Sequence, residues 1–164
     1  SMALLHGIVL GAVFLLAFTG GLAEMWSLST ADGQGDRSLP GRIRRIQIGA
    51  TLMAAVAWAT VAVGTCVVYP WYREGTPDSP RSQLLASPGT GDRHRFEMEW
   101  KEHVGWISPI LATVVAAAAI LYGRRITVDR RFRQVVMVLF VLAFLIAAIA
   151  GIFGALITKK APIS

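Results

Sequence analysis

An all-α integral membrane protein, built as a four-helix up-down-up-down bundle, is the fold class this sequence predicts, on three observations. Four long apolar runs cover positions 3–23, 46–69, 104–122 and 135–157. Only 16% of the 164 residues are charged, against about 25% in an ordinary soluble domain. Those charges cluster between the runs instead of within them. Each run comes close to the ~20 residues that carry a helix across a hydrocarbon core about 30 Å thick. Each is apolar around its whole circumference, as a helix facing lipid or other spans must be. No water reaches backbone amides at that depth, so helix is the state such runs adopt.

The first run is too long for a signal-peptide core and has no basic stretch ahead of it, so it reads as a retained span. Ser1 reads as a remnant ahead of a natural start at Met2, and one domain over 2–164 holds all four spans. Between the first two spans lie Arg37, Arg42, Arg44 and Arg45; between the last two lie Arg124, Arg125, Arg130, Arg131 and Arg133, with Asp129 the one acid. The positive-inside rule makes both short loops cytoplasmic and puts both termini on the outer side. Lys159 and Lys160 pull mildly the other way.

Positions 70–103 form the outer loop. Its middle, 75–91, is rich in Pro, Ser, Gly and Thr and reads as having little structure of its own. From about 93 the composition changes to an amphipathic stretch that extends the third helix outward and places Phe96, Trp100 and His103 on one stripe. Tyr69, Trp71, Tyr72, Trp100 and Trp106 mark the outer headgroup level, and Trp26 the inner one. Pro109 predicts a kink just inside His103, where Gly105 leaves room for a flat ligand.

Packing residues are of the small kind that lets membrane helices approach: Gly7/Gly11, Ala50/Ala54, Ala55/Ala59 and Ala147/Gly151/Ala155. Plain bundle packing explains them, and a dedicated dimer face is the competing reading. The lone Cys66 excludes an intramolecular disulfide or a thiolate metal cluster and reads as a small buried hydrophobe. The net charge of +6 sits in loops at headgroup level, which argues for lipid and against nucleic acid. No P-loop or dinucleotide fingerprint occurs, and Ser108 has no facing histidine or orienting acid. Gln47, Thr51, Thr60 and Thr65 are too few and scattered for a water-filled pathway.

The chemistry points to histidine. His6 lies near the outer start of the first span and His103 at the outer start of the third. Those two spans run in the same direction and can face each other diagonally, so two imidazoles at similar depth suit axial ligation of a haem b. On this reading Trp100, Trp106 and Phe96 wall the cofactor, and Glu99, one turn before His103, orients its imidazole. The protein is then an electron carrier served by membrane quinol or an outer-side redox protein in a bacterial inner membrane, and, if an enzyme, a component of a membrane oxidoreductase. Two other readings compete. One is a non-enzymatic accessory or assembly subunit, with no cofactor, docked on a larger membrane complex or on copies of itself. The other is an outer-face copper or zinc protein using His94, Met98 and His103. On one continuous helix His94 and His103 stand on opposite faces, ~13 Å apart along the axis; only a folded-back loop unites them.

Overall fold

In a computed structural model the backbone is described for residues 5–30, 39–86, 89 and 91–160, and side chains for these except 5, 6, 30, 93 and 157–160. The chain enters through a wide π-helical turn, Leu5–Val9, and continues as α1, Leu10–Thr30. Helix α2, Leu39–Val63, passes through a second π-helical stretch, Gly64–Val68, into the short α3, Tyr69–Tyr72. Two helices follow between the second and third spans, α4 (Pro80–Ala86) and α5 (Gly91–His103). The last two spans are α6, Ile107–Val128, and α7, Arg130–Lys160. Four helices are thus long and apolar enough to cross a membrane, and the chain is a multi-pass membrane protein in an all-α four-helix bundle.

The seams run in ring order. Helix α1 packs on α2, α2 on α6 and α6 on α7, while α7 closes back on α1 more loosely. Phenylalanines fill that wider last seam: Phe18 stacks on Phe144 at 4.0 Å and tilts against Phe140 at 5.3 Å between centroids. Met25, Ile46, Met53, Val115, Ile126 and Phe140 are fully buried along the axis. Outside, large apolar side chains stand open on every span, among them Leu16 and Leu121, both 71% exposed. A water-soluble fold leaves no such continuous apolar exterior; a bilayer covers it.

Backbones approach most closely where α1 crosses α2. A Cβ on Gly49 would stand 3.1 Å from the Gly21 Cα, and one on Gly21 would stand 3.0 Å from the Phe140 ring. Gly123 is tighter still, since its Cβ would lie 2.7 Å from Ile43 Cγ2, next to Gln47, whose amide donates to the Ala119 carbonyl at 3.2 Å. The small-residue pairs expected from spacing distribute differently. Ala50 and Ala54 are buried in a seam, but nothing lies within 4 Å of the missing side chain of Gly7, Gly11 or Gly151. Spacing identifies a smooth face without identifying which face meets a neighbour.

The third span departs from expectation in three ways. Helices α5 and α6 are separate: the amides of Val104 and Gly105 both donate to the Trp100 carbonyl, and the chain turns at 104–106. A Cβ on Gly105 would stand 2.6 Å from the Lys101 carbonyl, so the chain's own backbone fills the space anticipated for a ligand. Pro109 produces no kink, because it falls in the first turn of α6, where no intrahelical donor is required. The bend comes instead at Tyr122, with φ −125° and ψ 25°. Two further corrections concern the middle of the outer loop and Cys66. The supposedly unstructured 75–91 contains α4, begun by Pro80 and by the Ser79 hydroxyl, which accepts from the Ser82 amide at 3.3 Å. Cys66, expected to be buried, is exposed.

Charges lock the Arg-rich end. Glu24 accepts from Arg42 Nε and Arg45 Nε, each at 2.8 Å, and Arg42 also donates to the Ser27 hydroxyl. These ties hold α1 to α2 beyond the apolar run. Arg133, 5% exposed, donates to the carbonyls of Ile126 at 3.0 Å and Thr127 at 3.2 Å. It thereby satisfies carbonyls that the end of α6 leaves without helical donors. Asp129 caps α7 by accepting from the Phe132 amide at 3.0 Å.

Gly49→Val is expected to wedge α1 from α2 and cost about 1–3 kcal/mol, the range for overpacking, whereas Gly7→Val is expected to be neutral; thermal unfolding of both in detergent checks this. The cap on α7 carries a pH signature. The Phe132 amide first, then Arg125, holds the Asp129 carboxyl below its ordinary value. Its stabilisation is therefore complete above the unfolded aspartate range near about pH 4 and is lost as pH falls through the lowered folded value. Asp129→Ala is expected to flatten that acid limb in a melting-temperature profile against pH.

Candidate functional site

Opposite the Arg-rich end, α3, α4 and α5 cover the bundle and gather most of the polar side chains that could do chemistry. Helix α5 divides by its 100° steps. His94 and Glu97 are 6% and 5% exposed, with Met98 and Lys101 half-buried beside them. Phe96, Glu99 and His103 point the other way and are exposed. His94 therefore faces inward under the cap, and His103 outward on the same helix.

The inward face is closed by α3 and α4. The Tyr72 hydroxyl lies 2.9 Å from His94 Nδ1 and 2.7 Å from Nε2, so one hydroxyl serves either tautomer, donating to the bare nitrogen or accepting from the protonated one. Leu84 and Met98 pack around this pair. Glu97 precedes Lys101 by one turn, the favourable Glu-then-Lys order on a helix. The Lys101 ammonium reaches across to α7, 3.4 Å from where a Cβ on Gly154 would stand. On the flank, the Tyr69 hydroxyl donates to Glu102 at 2.8 Å while Arg73 lies over the Tyr69 ring at 4.7 Å and 3.9 Å from the same carboxylate. Tyr72 with His94, and Tyr69 and Arg73 with Glu102, thus find partners within the cap, which is the condition for burying such groups.

The outward face carries His103. Its Nδ1 stands 2.9 Å from the Glu99 backbone carbonyl. A carbonyl only accepts, so the ring proton is on Nδ1 and the Nε2 lone pair points away from the helix. The anchor expected from the Glu99 carboxylate is supplied by its main chain instead. Phe96 and Trp100 meet Phe153 of α7 edge to face at 6.1 Å and 5.5 Å. Trp106 goes elsewhere, to Trp58 of α2 at 6.1 Å, whose indole donates to Thr113 at 2.9 Å. The three aromatic residues predicted as one wall are thus divided between two helices. His6 lies in the π-helical turn that packs beside α7, and its side chain lies outside the described residues.

Among the described residues, no three His, Cys, Asp or Glu side chains come close enough to hold one metal ion. His94 and Met98 do share a side of α5, but the imidazole is engaged by Tyr72, and His103 stands on the opposite side.

Sequence reasoning missed Tyr72, Glu97, Lys101 and Glu102 as members of the polar group around α5. A signal for part of it exists: 94, 97, 98 and 101 share a helical face, and a polar face on a helix joined to a span asks for partners. Their position in the chain marks the tyrosines as headgroup anchors, and nothing in the sequence couples Tyr72 to a histidine 22 positions away. Glu24 was missed because it lies one residue beyond the apolar run, although the helix continues to Thr30. Comparison with protein-family models, with curated proteins and with solved structures finds no match.

Tyr72→Phe removes the hydroxyl and leaves a buried imidazole unpaired, expected to cost about 1–3 kcal/mol. His94→Leu in the same background is expected to restore part of that loss, and a double-mutant cycle on thermal stability measures the coupling.

Proposed function

We propose that this chain is a haem b-binding electron-transfer protein of the membrane, with His103 as one axial ligand and His6 as the other. The observation that carries the reading is the state of His103: an exposed imidazole, its Nδ1–H tied to the Glu99 carbonyl and its Nε2 free to donate a lone pair. Metal-bound histidines usually have their second nitrogen held in this way, which fixes the tautomer and raises ligand basicity. Trp100 and Phe96 on the adjoining side of α5, with Phe153 behind them, supply an aromatic surface of the kind a porphyrin packs against. The single cysteine leaves no thioether attachment motif, hence a non-covalent, b-type group. When bound, the haem supplies a one-electron redox couple; the protein's share is ligation, orientation and exclusion of water.

The Arg-rich loops are then cytoplasmic and both termini lie outside. This sets the site at the outer face of a bacterial inner membrane, in reach of quinol or an outer-side redox protein. A second reading, an accessory subunit of a larger membrane complex, draws support from the open faces at Gly7, Gly11 and Gly151, where another helix has room to approach.

Detergent-purified protein is expected to show a Soret band and sharp reduced α and β bands, lost in His103→Ala and in His6→Ala. Glu99→Ala is expected to keep them, because the anchoring acceptor is the main-chain carbonyl. A colourless protein that also fails to take up added haemin rejects the ligation scheme, and its purification within a larger complex then favours the accessory role.

A further inference from the structure

The net charge is distributed very unevenly. The cap and the distal part of α7 carry seven basic residues against six acids, whereas the Arg-rich end carries eight arginines against two acids among the described residues. The segment 31–38, outside the described residues, adds two acids and one arginine to that end by sequence, so a large excess stays there.

Half of those eight arginines have work within the fold. Arg42 and Arg45 hold Glu24, Arg125 holds Asp129 and covers the Phe132 ring, and Arg133 caps α6. The other half do not. The side chains of Arg44, Arg124, Arg130 and Arg131 are exposed and make no ion pair or hydrogen bond among the described residues, although the Arg124 carbonyl accepts from Thr127 and the Arg131 amide donates to Asp129. Three of the four follow exposed apolar residues in the chain: Arg124 comes after Leu121 and Tyr122, which are 71% and 52% exposed, and Arg130 and Arg131 come after Val128, 71% exposed. Trp26, 62% exposed, marks the same level on α1.

We propose that this end of the bundle is a binding surface for anionic phospholipid, with Arg44, Arg124, Arg130 and Arg131 on the headgroup phosphodiesters. Guanidinium offers a planar fork that matches phosphate oxygens bidentately. The adjoining Leu121, Tyr122 and Val128 take the acyl chains of the same molecules, which selects lipid over free phosphate or nucleic acid. Cations without a side-chain partner among the described residues repel one another until anions arrive, so lipid on Arg124, Arg130 and Arg131 stabilises the hairpin between α6 and α7 as well as the orientation. The inference is independent of haem.

Native mass spectrometry of the full chain in detergent, titrated with phosphatidylglycerol or phosphatidylcholine, tests it. Wild type is expected to retain phosphatidylglycerol selectively, with affinity falling about fivefold per arginine removed, as about 1 kcal/mol for each basic residue near an anionic surface implies. Retention should weaken as salt rises. R44Q/R124Q/R130Q/R131Q is expected to lose the selectivity, while the charge-keeping R44K/R124K/R130K/R131K and the cap control R81Q/R95Q keep it. Equal retention of both lipids by wild type overturns the proposal, as does displacement of phosphatidylglycerol by millimolar inorganic phosphate. So does unchanged selectivity in the glutamine variant, whose helical content by circular dichroism shows whether it is folded.

Discussion

Hydrocarbon offers no hydrogen bonds, and that absence organises the whole molecule. Backbone amides and carbonyls must pair within each segment, so four stretches become helices regardless of residue preference. Side chains between those stretches must be apolar or find a polar partner at once. Gln47, Trp58, Thr60 and Thr113 comply by bonding carbonyls or one another inside the spans. Ser108, 2% exposed, does so by donating to the Ala143 carbonyl at 2.7 Å. The charged side chains among the described residues are driven toward the two ends, where the ends become chemically distinct.

At one end, electrostatics holds the helices. Glu24 between two arginines and Arg133 on the carbonyls of α6 tie together the ends of α1 and α6 and the starts of α2 and α7. At the other end the solution is a folded cap. The break after His103 lets α5 turn its face independently of α6, so a strongly polar helix can cover the outer part of α7 with Phe96 and Trp100 while burying His94 and Glu97 under α3 and α4. The same break decides the roles of two histidines nine residues apart. One is spent on a tyrosine within the cap; the other keeps a nitrogen free at the surface. The proposed ligand chemistry would fall to the second, while the first ties α5 to α3.

The membrane architecture was legible because it depends on a sum over about twenty residues and is insensitive to detail. Boundaries were less so. Helix α1 runs on past the apolar stretch since Arg42 and Arg45, contributed by another helix, neutralise Glu24. The separation of α5 from α6 depends on one carbonyl approaching Gly105, a contact that propensity does not encode. His94 and Met98 were visible as neighbours on a helical face, while the partner that occupies His94 comes from a different helix.

What composition and order alone dictated is the number of crossings, their apolar exteriors and the loading of positive charge at one end, because transfer free energy and net charge are additive along a chain. Which glycines touch, which face of α5 turns inward, and which arginines are engaged by Glu24, Asp129 or the carbonyls of α6 were decided only by the packed bundle. Those outcomes depend on distances between segments remote in sequence, and a one-dimensional pattern holds no information about the angle at which two helices meet.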